Sequence, residues 1–186
     1  MYAKTGRLPE AINHFSKAVQ LDPENLNMRN NLRKAIVSRE NIKTEIRKTE
    51  REMDIDENAN LYNRLGNLYR SLGESMTAIK HYKKALSIQP DFPPALNNLA
   101  ILYVSKKEYD QALPLFNHII KIVPDHAGTY YNIACIYALQ NQSKDAISWL
   151  KMAIQRGYDN WKLIKTDKDL ENIRKSPGYK ALIKGH

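Results

Sequence analysis

The stretch Tyr62-Asn63-Arg64-Leu65-Gly66-Asn67-Leu68-Tyr69 decides the fold, because it returns twice at a fixed interval of 34 residues. It comes back as Leu96-Asn97-Asn98-Leu99-Ala100-Ile101-Leu102-Tyr103, and again as Tyr130-Tyr131-Asn132-Ile133-Ala134-Cys135-Ile136-Tyr137. Columns further along stay in phase: Ala78, Ala112 and Ala146, then Pro90 and Pro124. Self-similarity at such a period marks stacked supersecondary units. Within one unit, Leu61-Tyr62, Leu65, Leu68-Tyr69 and Leu72 recur at helical spacing. Gly73 ends that helix. A second helix runs through Ala78-Ile79, Tyr82, Ala85-Leu86 and Ile88 and stops before Pro90. Gly66 and Ala78 are small enough to stand where the two helices cross. Tyr69, Tyr103 and Tyr137 are expected between adjacent hairpins.

Working outward, the 186 residues suit one domain or a short array. An apolar share of 42% is enough for a core and excludes a disordered polyelectrolyte. The single cysteine, Cys135, excludes an intramolecular disulfide framework and a cysteine-based zinc site. No apolar run approaches the ~20 residues that cross a bilayer, and residues 1–7 lack the apolar region of a signal peptide. The expectation is a soluble chain without direct membrane insertion. The net charge of +9 is concentrated. Residues 25–53 hold eight basic and four acidic side chains, and residues 151–186 hold nine and four, while residues 54–150 are balanced. A solvated basic helix face is the first reading of the 25–53 segment, and nucleic-acid binding through it and the tail is the rival.

The N-terminus carries a broken unit. Ala11, Phe15, Ala18 and Pro23 match a second helix, and residues 1–5 supply only the last turn of a first one. The chain is thus expected to start inside a repeat of a longer protein, with Met1 as a cloning artefact. No Gly or Pro occurs between Glu24 and Leu65. Leu32, Arg39, Ile46 and Met53 are spaced by seven, as are Ala35, Ile42 and Thr49. One long helix over about 25–52 follows, with a degenerate repeat turning near Ser38 as the alternative. Exposed apolar residues on residues 9–21 and the stripe Ile42, Ile46 and Met53 lead to the expectation of a weak homodimer.

The repeat resembles the tetratricopeptide repeat, W-x2-L-G-x2-Y followed by A-x3-F, A and P. The matching residues are Tyr62, Leu65, Gly66, Tyr69, Ala78, Tyr82, Ala85 and Pro90 in the first unit. The second has Leu96, Leu99, Ala100, Tyr103, Ala112, Phe116, Ile119 and Pro124, and the third has Tyr130, Ile133, Ala134, Tyr137, Ala146, Leu150 and Ala153. The implied fold is an all-α right-handed superhelix of helix-turn-helix units, with a long inter-array helix and a C-terminal helical cap. The expected organisation is a partial repeat at 1–24 and a basic helix or degenerate repeat at 25–57. Three units at 59–92, 93–126 and 127–156 follow, then capping helices at 157–186. In that tail, Trp161, Leu170 and Ile173 are expected to cover the apolar edge of the last unit. The tail resembles the closing segment of bacterial tetratricopeptide proteins and, more loosely, C-terminal repeat regions of bacterial membrane glycosyltransferases.

Chemistry is sparse. No two of His14, His81, His118, His126 and His186 stand three or four apart, and all are expected on the surface. Cys135 has no His or Lys partner nearby in sequence and is placed in the groove without a catalytic role. There is no phosphate loop and no HExxH motif, so no cofactor, metal or enzyme activity is expected. Asp91 and Asp125 are read as helix caps. The resemblance implies a groove lined by first helices, where asparagine holds a peptide backbone. The groove residues so implied are Asn63, Arg64, Asn67, Asn97, Asn98, Tyr131 and Asn132. A protein or peptide partner is therefore expected, in a non-enzymatic interaction module. The alternatives are an accessory region of a membrane glycosyltransferase and a nucleic-acid binder. The carboxylate clamp of chaperone-binding relatives is incomplete, because Asn63, Gly128 and Asn132 stand where it needs cations. A cytoplasmic location is favoured, with a periplasmic one open for part of a membrane protein.

Overall fold

The structure, a computed structural model, describes residues 8–185. The expected last turn of a first helix at residues 1–5, and His186, lie outside them. The described residues fold into helices without strands. The chain divides into two units, residues 1–98 and 99–186. The first holds α1 (Leu8–Leu21), α2 (Leu26–Met53), α3 (Ala59–Ser71), α4 (Ser75–Ile88) and the start of α5 (Pro93–Ser105). The second holds the rest of α5, then α6 (Tyr109–Ile122), α7 (Ala127–Leu139) and α8 (Ser143–Gln155). It closes with α9 (Trp161–Thr166), a 3-10 segment (Lys168–Ile173) and α10 (Pro177–Ile183).

In the first unit, α3 and α4 form a hairpin around Leu65, Ala78, Tyr82 and Ala85, all 1% exposed or less. Gly66 sits under the Tyr82 ring: a Cβ built on it would lie 2.4 Å from that ring. The small-residue column is therefore a point of closest approach, and its partner is the aromatic of the second helix. Tyr82 is fixed there by its hydroxyl, which donates to Asn67 Oδ1 at 2.9 Å. Tyr69 stacks on His81 of its own hairpin, with centroids 5.1 Å apart. Tyr137 likewise stacks on Trp149 of its own hairpin at 6.3 Å. These two tyrosines thus serve the packing within a hairpin, which the expectation of a purely inter-hairpin role missed.

Three hairpins share one turn. After α3, α5 and α7 the residue past the helix takes a positive φ: Gly73 at 78°, Lys107 at 61° and Asn141 at 61°. Glu74, Glu108 and Gln142 each donate a backbone N–H to the carbonyl of Tyr69, Tyr103 and Tyr137, at 2.9, 2.9 and 2.8 Å. This is a Schellman closure, which satisfies carbonyls that the helix end would otherwise leave bare. The tyrosine column thus marks the carbonyl that closes each turn.

Residues 26–53 form a single continuous helix with no turn near Ser38. It starts at Asn25, whose side chain accepts from Met28 N–H at 3.1 Å, and its C-cap is Asp54. Its second half packs on the α3–α4 hairpin through Ile46 and Thr49, 7% and 0% exposed. Ile46 is therefore covered within the chain and is unavailable for the expected dimer stripe.

In the second unit the cap buries Ile164, Leu170, Ile173 and Tyr179 completely against α7 and α8. Trp161 is only partly buried at its margin. The Tyr179 hydroxyl donates to the carbonyl of Ile164 at 2.7 Å, and Asn172 Nδ2 donates to Ala138 O at 3.2 Å. A solenoid end exposes apolar surface unless something closes it, and these residues do so.

The turns yield a prediction. A side chain with a Cβ at positive φ costs about 1–2 kcal/mol relative to glycine, less for asparagine. Lys107→Gly should stabilise the chain by about 1 kcal/mol and Asn141→Gly by a few tenths. Urea unfolding of both variants checks this, and a loss of stability in Lys107→Gly would contradict the turn geometry.

Candidate functional site

The residues expected in the groove fall into different environments. Asn63 and Asn98 are brought together: Asn98 Nδ2 donates to Asn63 Oδ1 at 3.0 Å, linking successive first helices α3 and α5. Both are half-buried, as are Asn97 and Asn132. Asn67 is engaged by Tyr82, whose hydroxyl burial pushes up to a pKa of about 12. Its amide thus serves the hairpin core.

Two of the expected groove residues have partners on other elements. Arg64 reaches away from its helix to α2, with Nη2 2.7 Å from Glu45 Oε2 and Nη1 2.9 Å from Glu52 Oε2. It is a strut between α3 and the long helix, because two carboxylates seven residues apart on α2 bracket a single guanidinium. Tyr131 is 4% exposed. Its ring stacks on Tyr158 at 4.3 Å, and its hydroxyl donates to Asp167 Oδ2 at 2.7 Å. It is a foundation for the cap.

Cys135 lies buried beneath the same cap at 6% exposure. Burial, then the nearby Asp167 and Asp169 charges, push its thiol far above the ordinary range. A thiol held protonated and buried is neither a nucleophile nor a ready ligand. Cys135, Asp167 and Asp169 bring their ligand atoms within 4.8 Å of one another. Asp167 is already engaged, however, accepting from Asp169 N–H with Oδ1 and from Tyr131 with Oδ2. The cluster reads as a hydrogen-bonded junction that seats the cap on α7.

His81 was expected on the surface and is instead half-buried between Tyr69 and Tyr62. Burial, then Lys80, lower its pKa, so the ring is neutral at pH 7. It helps line a cavity of about 670 Å³ between the end of α2 and the α3–α4 hairpin. The floor is Met53, Tyr62 and Leu65, and the rim carries Lys80, Lys83 and Lys84 opposite Glu50 and Asp54. Asn58 caps α3 by accepting from Leu61 N–H at 3.1 Å, and His126, not Asp125, is the residue preceding α7.

Comparison with known proteins agrees with this architecture. Tetratricopeptide repeat models match residues 59–92 and 91–156, and a further TPR repeat model matches residues 1–36. The chain belongs to the tetratricopeptide repeat family. It is 44% identical over 57 residues to the uncharacterized protein ycf37 of Pyropia yezoensis, a match covering 28% of the chain and 32% of that protein. The match thus spans about a third of that relative's length. Among solved structures it is similar to MamA, with a TM-score of 0.59 and 23% identity over 81% of this chain and 89% of that one. It is also similar to YrrB, described as a TPR protein with an unusual peptide-binding site, with a TM-score of 0.58 and 22% identity over 83% and 80% of the two chains. No helix among the described residues is long and apolar enough to cross a membrane.

The cap junction carries a pH dependence. Burial, then Asp167, raise the pKa of Asp169 above the ordinary carboxylate value of 3.8. A carboxyl that holds its proton more tightly folded than unfolded favours folding below its unfolded pKa, and that contribution is lost as pH rises through the folded value. Asp169→Asn should therefore raise the Tm at pH 7, and the gain should vanish near pH 3. Melting curves at the two pH values check this, and an equal gain at both would point to a cause other than charge.

Proposed function

We propose that the chain binds an extended peptide or protein segment on the first helices of its first unit, with Asn63 and Asn98 reading the partner's backbone, and that Asn132 has the same kind of role within the second unit. Tetratricopeptide repeats are protein-interaction modules, and the finer assignment rests on one observation. The Asn63 and Asn98 amides meet across successive first helices and use one donor and one acceptor on each other. By the chemistry of the amide, Asn63 keeps its two N–H donors and Asn98 keeps its carbonyl and one N–H. A paired amide is held in one orientation, so a peptide backbone meets donors and acceptors already ordered, at reduced entropic cost. Backbone reading of this kind selects for extended conformation and little for side chains. The peptide-binding site of YrrB supports the same class of ligand.

The reading excludes Arg64 and Tyr131 from direct contact, because α2 and the cap already use them. It also disfavours recognition of a C-terminal carboxylate, since the positions that would supply its cations are Asn63, Gly128 and Asn132.

The test begins with displayed peptides selected against the purified chain. Asn63→Ala and Asn98→Ala should each weaken the selected peptides by about 0.5–1.5 kcal/mol, the usual net value of one hydrogen bond. Because the two amides are half-buried and paired, each variant should also lose about 0.5–1.5 kcal/mol of stability, so binding is compared under conditions where every variant is folded. Peptides that bind the double variant as tightly as the original chain would refute the assignment.

A further inference from the structure

The long helix α2 is a repeat whose turn has been drawn out into continuous helix, and its first half keeps an empty seat. The phase is set by the closing prolines. Ten residues beyond Pro90 and Pro124 stand Ala100 and Ala134, the small residues of the crossing column. Ten residues beyond Pro23 stands Arg33. Seventeen residues beyond the same prolines stand Lys107 and Asn141, which turn at positive φ, whereas the corresponding Glu40 stays within the continuous helix. Arg33 is exposed on the very face that in a complete repeat receives the second helix.

That face is a groove. A cavity of about 440 Å³ lies against Val19 of α1 and Leu26, Ile36 and Val37 of α2. A second, of about 490 Å³, continues it past Arg33, Val37 and Lys34. Leu26 is 68% exposed and Val37 51%. Residues 26–39 contain Arg29, Arg33, Lys34 and Arg39 and no acidic residue. Arg39 pairs with Glu40, but Arg29, Arg33 and Lys34 make no ion pair among the described residues.

The chain's own continuation is the wrong helix for this seat. Tyr82 crosses Gly66 at a separation of 16 residues, so folding α2 back would set Thr49 over Arg33, and Thr49 is already buried against the α3–α4 hairpin. A second copy offers the same segment, whose Ile46 and Thr49 its own fold already buries.

From this we infer a second docking site, independent of the asparagine surface: the groove on the first half of α2 takes an amphipathic helix from a partner, with apolar residues on one face and acidic residues flanking them. The apolar face covers Leu26, Ile36 and Val37. The flanking carboxylates meet Arg29, Arg33 and Lys34, in the helix-in-groove mode of recognition. The unpaired cations set the sign of the partner, and the apolar floor sets its helical spacing.

The test uses the full chain and a fluorescein-labelled 16-residue synthetic helix with leucines at i, i+3, i+4 and i+7 and glutamates on both flanks. Controls are the same peptide with lysine in place of glutamate, and the glutamate peptide with its leucines rearranged. Anisotropy should show binding of the glutamate peptide alone, weakening as salt is raised. Arg33→Glu and Val37→Asp should each weaken it at least tenfold, with helicity and Tm unchanged, because both side chains are exposed. The inference is overturned if wild type and Arg33→Glu bind the peptide alike, or if the lysine or rearranged peptide binds as well. It is overturned equally if sedimentation shows an Arg33-dependent dimer that fills the groove, or if phosphatidylserine vesicles bind in an Arg33-dependent way and the glutamate peptide does not.

Discussion

The architecture depends on how closely two antiparallel helices can approach at one residue. At Gly66 the backbone of α3 comes so near the Tyr82 ring that there is no room for a methyl group. That approach lets Leu65, Ala78, Tyr82 and Ala85 bury almost completely in a hairpin of only 30 residues, at about 25 cal/mol per Å² of apolar surface removed from water. The other two hairpins keep alanine in this column, Ala100 and Ala134, with Phe116 and Leu150 at the place of Tyr82. Where the column holds Arg33, the hairpin does not close and the helix runs on for 28 residues.

Much of this was legible in the sequence because packing of this kind is periodic. Columns at a 34-residue interval report the helices, the crossing and the closing proline. The all-α repeat fold, the buried cap residues Leu170 and Ile173, and the absence of a turn at Ser38 all rest on local signals that agree with one another. The turns after α5 and α7 were harder to see, since Lys107 and Asn141 carry no glycine signal. What betrays them is the spacing of 34 from Gly73, which imposes a conformation that residue type alone would not suggest.

The site was less legible, because a surface position in a repeat takes its role from whatever lies opposite. Arg64 and Asn98 occupy the same repeat position, yet the first meets two glutamates of α2 and the second meets Asn63. Tyr131 occupies the column of Asn63 and Asn97, but the cap covers it. Nothing in the first helix distinguishes these cases. The distinction lies in residues 19, 12 and 36 positions away, which belong to elements outside the repeat pattern. His81 shows the same rule, for its burial comes from Tyr62 and Tyr69 on the neighbouring helix.

The close approach at Gly66 is tested most directly by Gly66→Ala in urea unfolding. Helix propensity alone favours alanine over glycine by about 1 kcal/mol. Overpacking a filled core costs about 1–3 kcal/mol, and the Tyr82 ring is anchored by Asn67 and has little freedom to retreat. The account predicts a net loss of stability. It also predicts that Tyr82→Phe, which releases the anchor, makes Gly66→Ala less costly in the same background, a coupling a double-mutant cycle resolves. A gain of about 1 kcal/mol for Gly66→Ala, unaffected by Tyr82→Phe, would mean that the crossing is loose and would contradict the account.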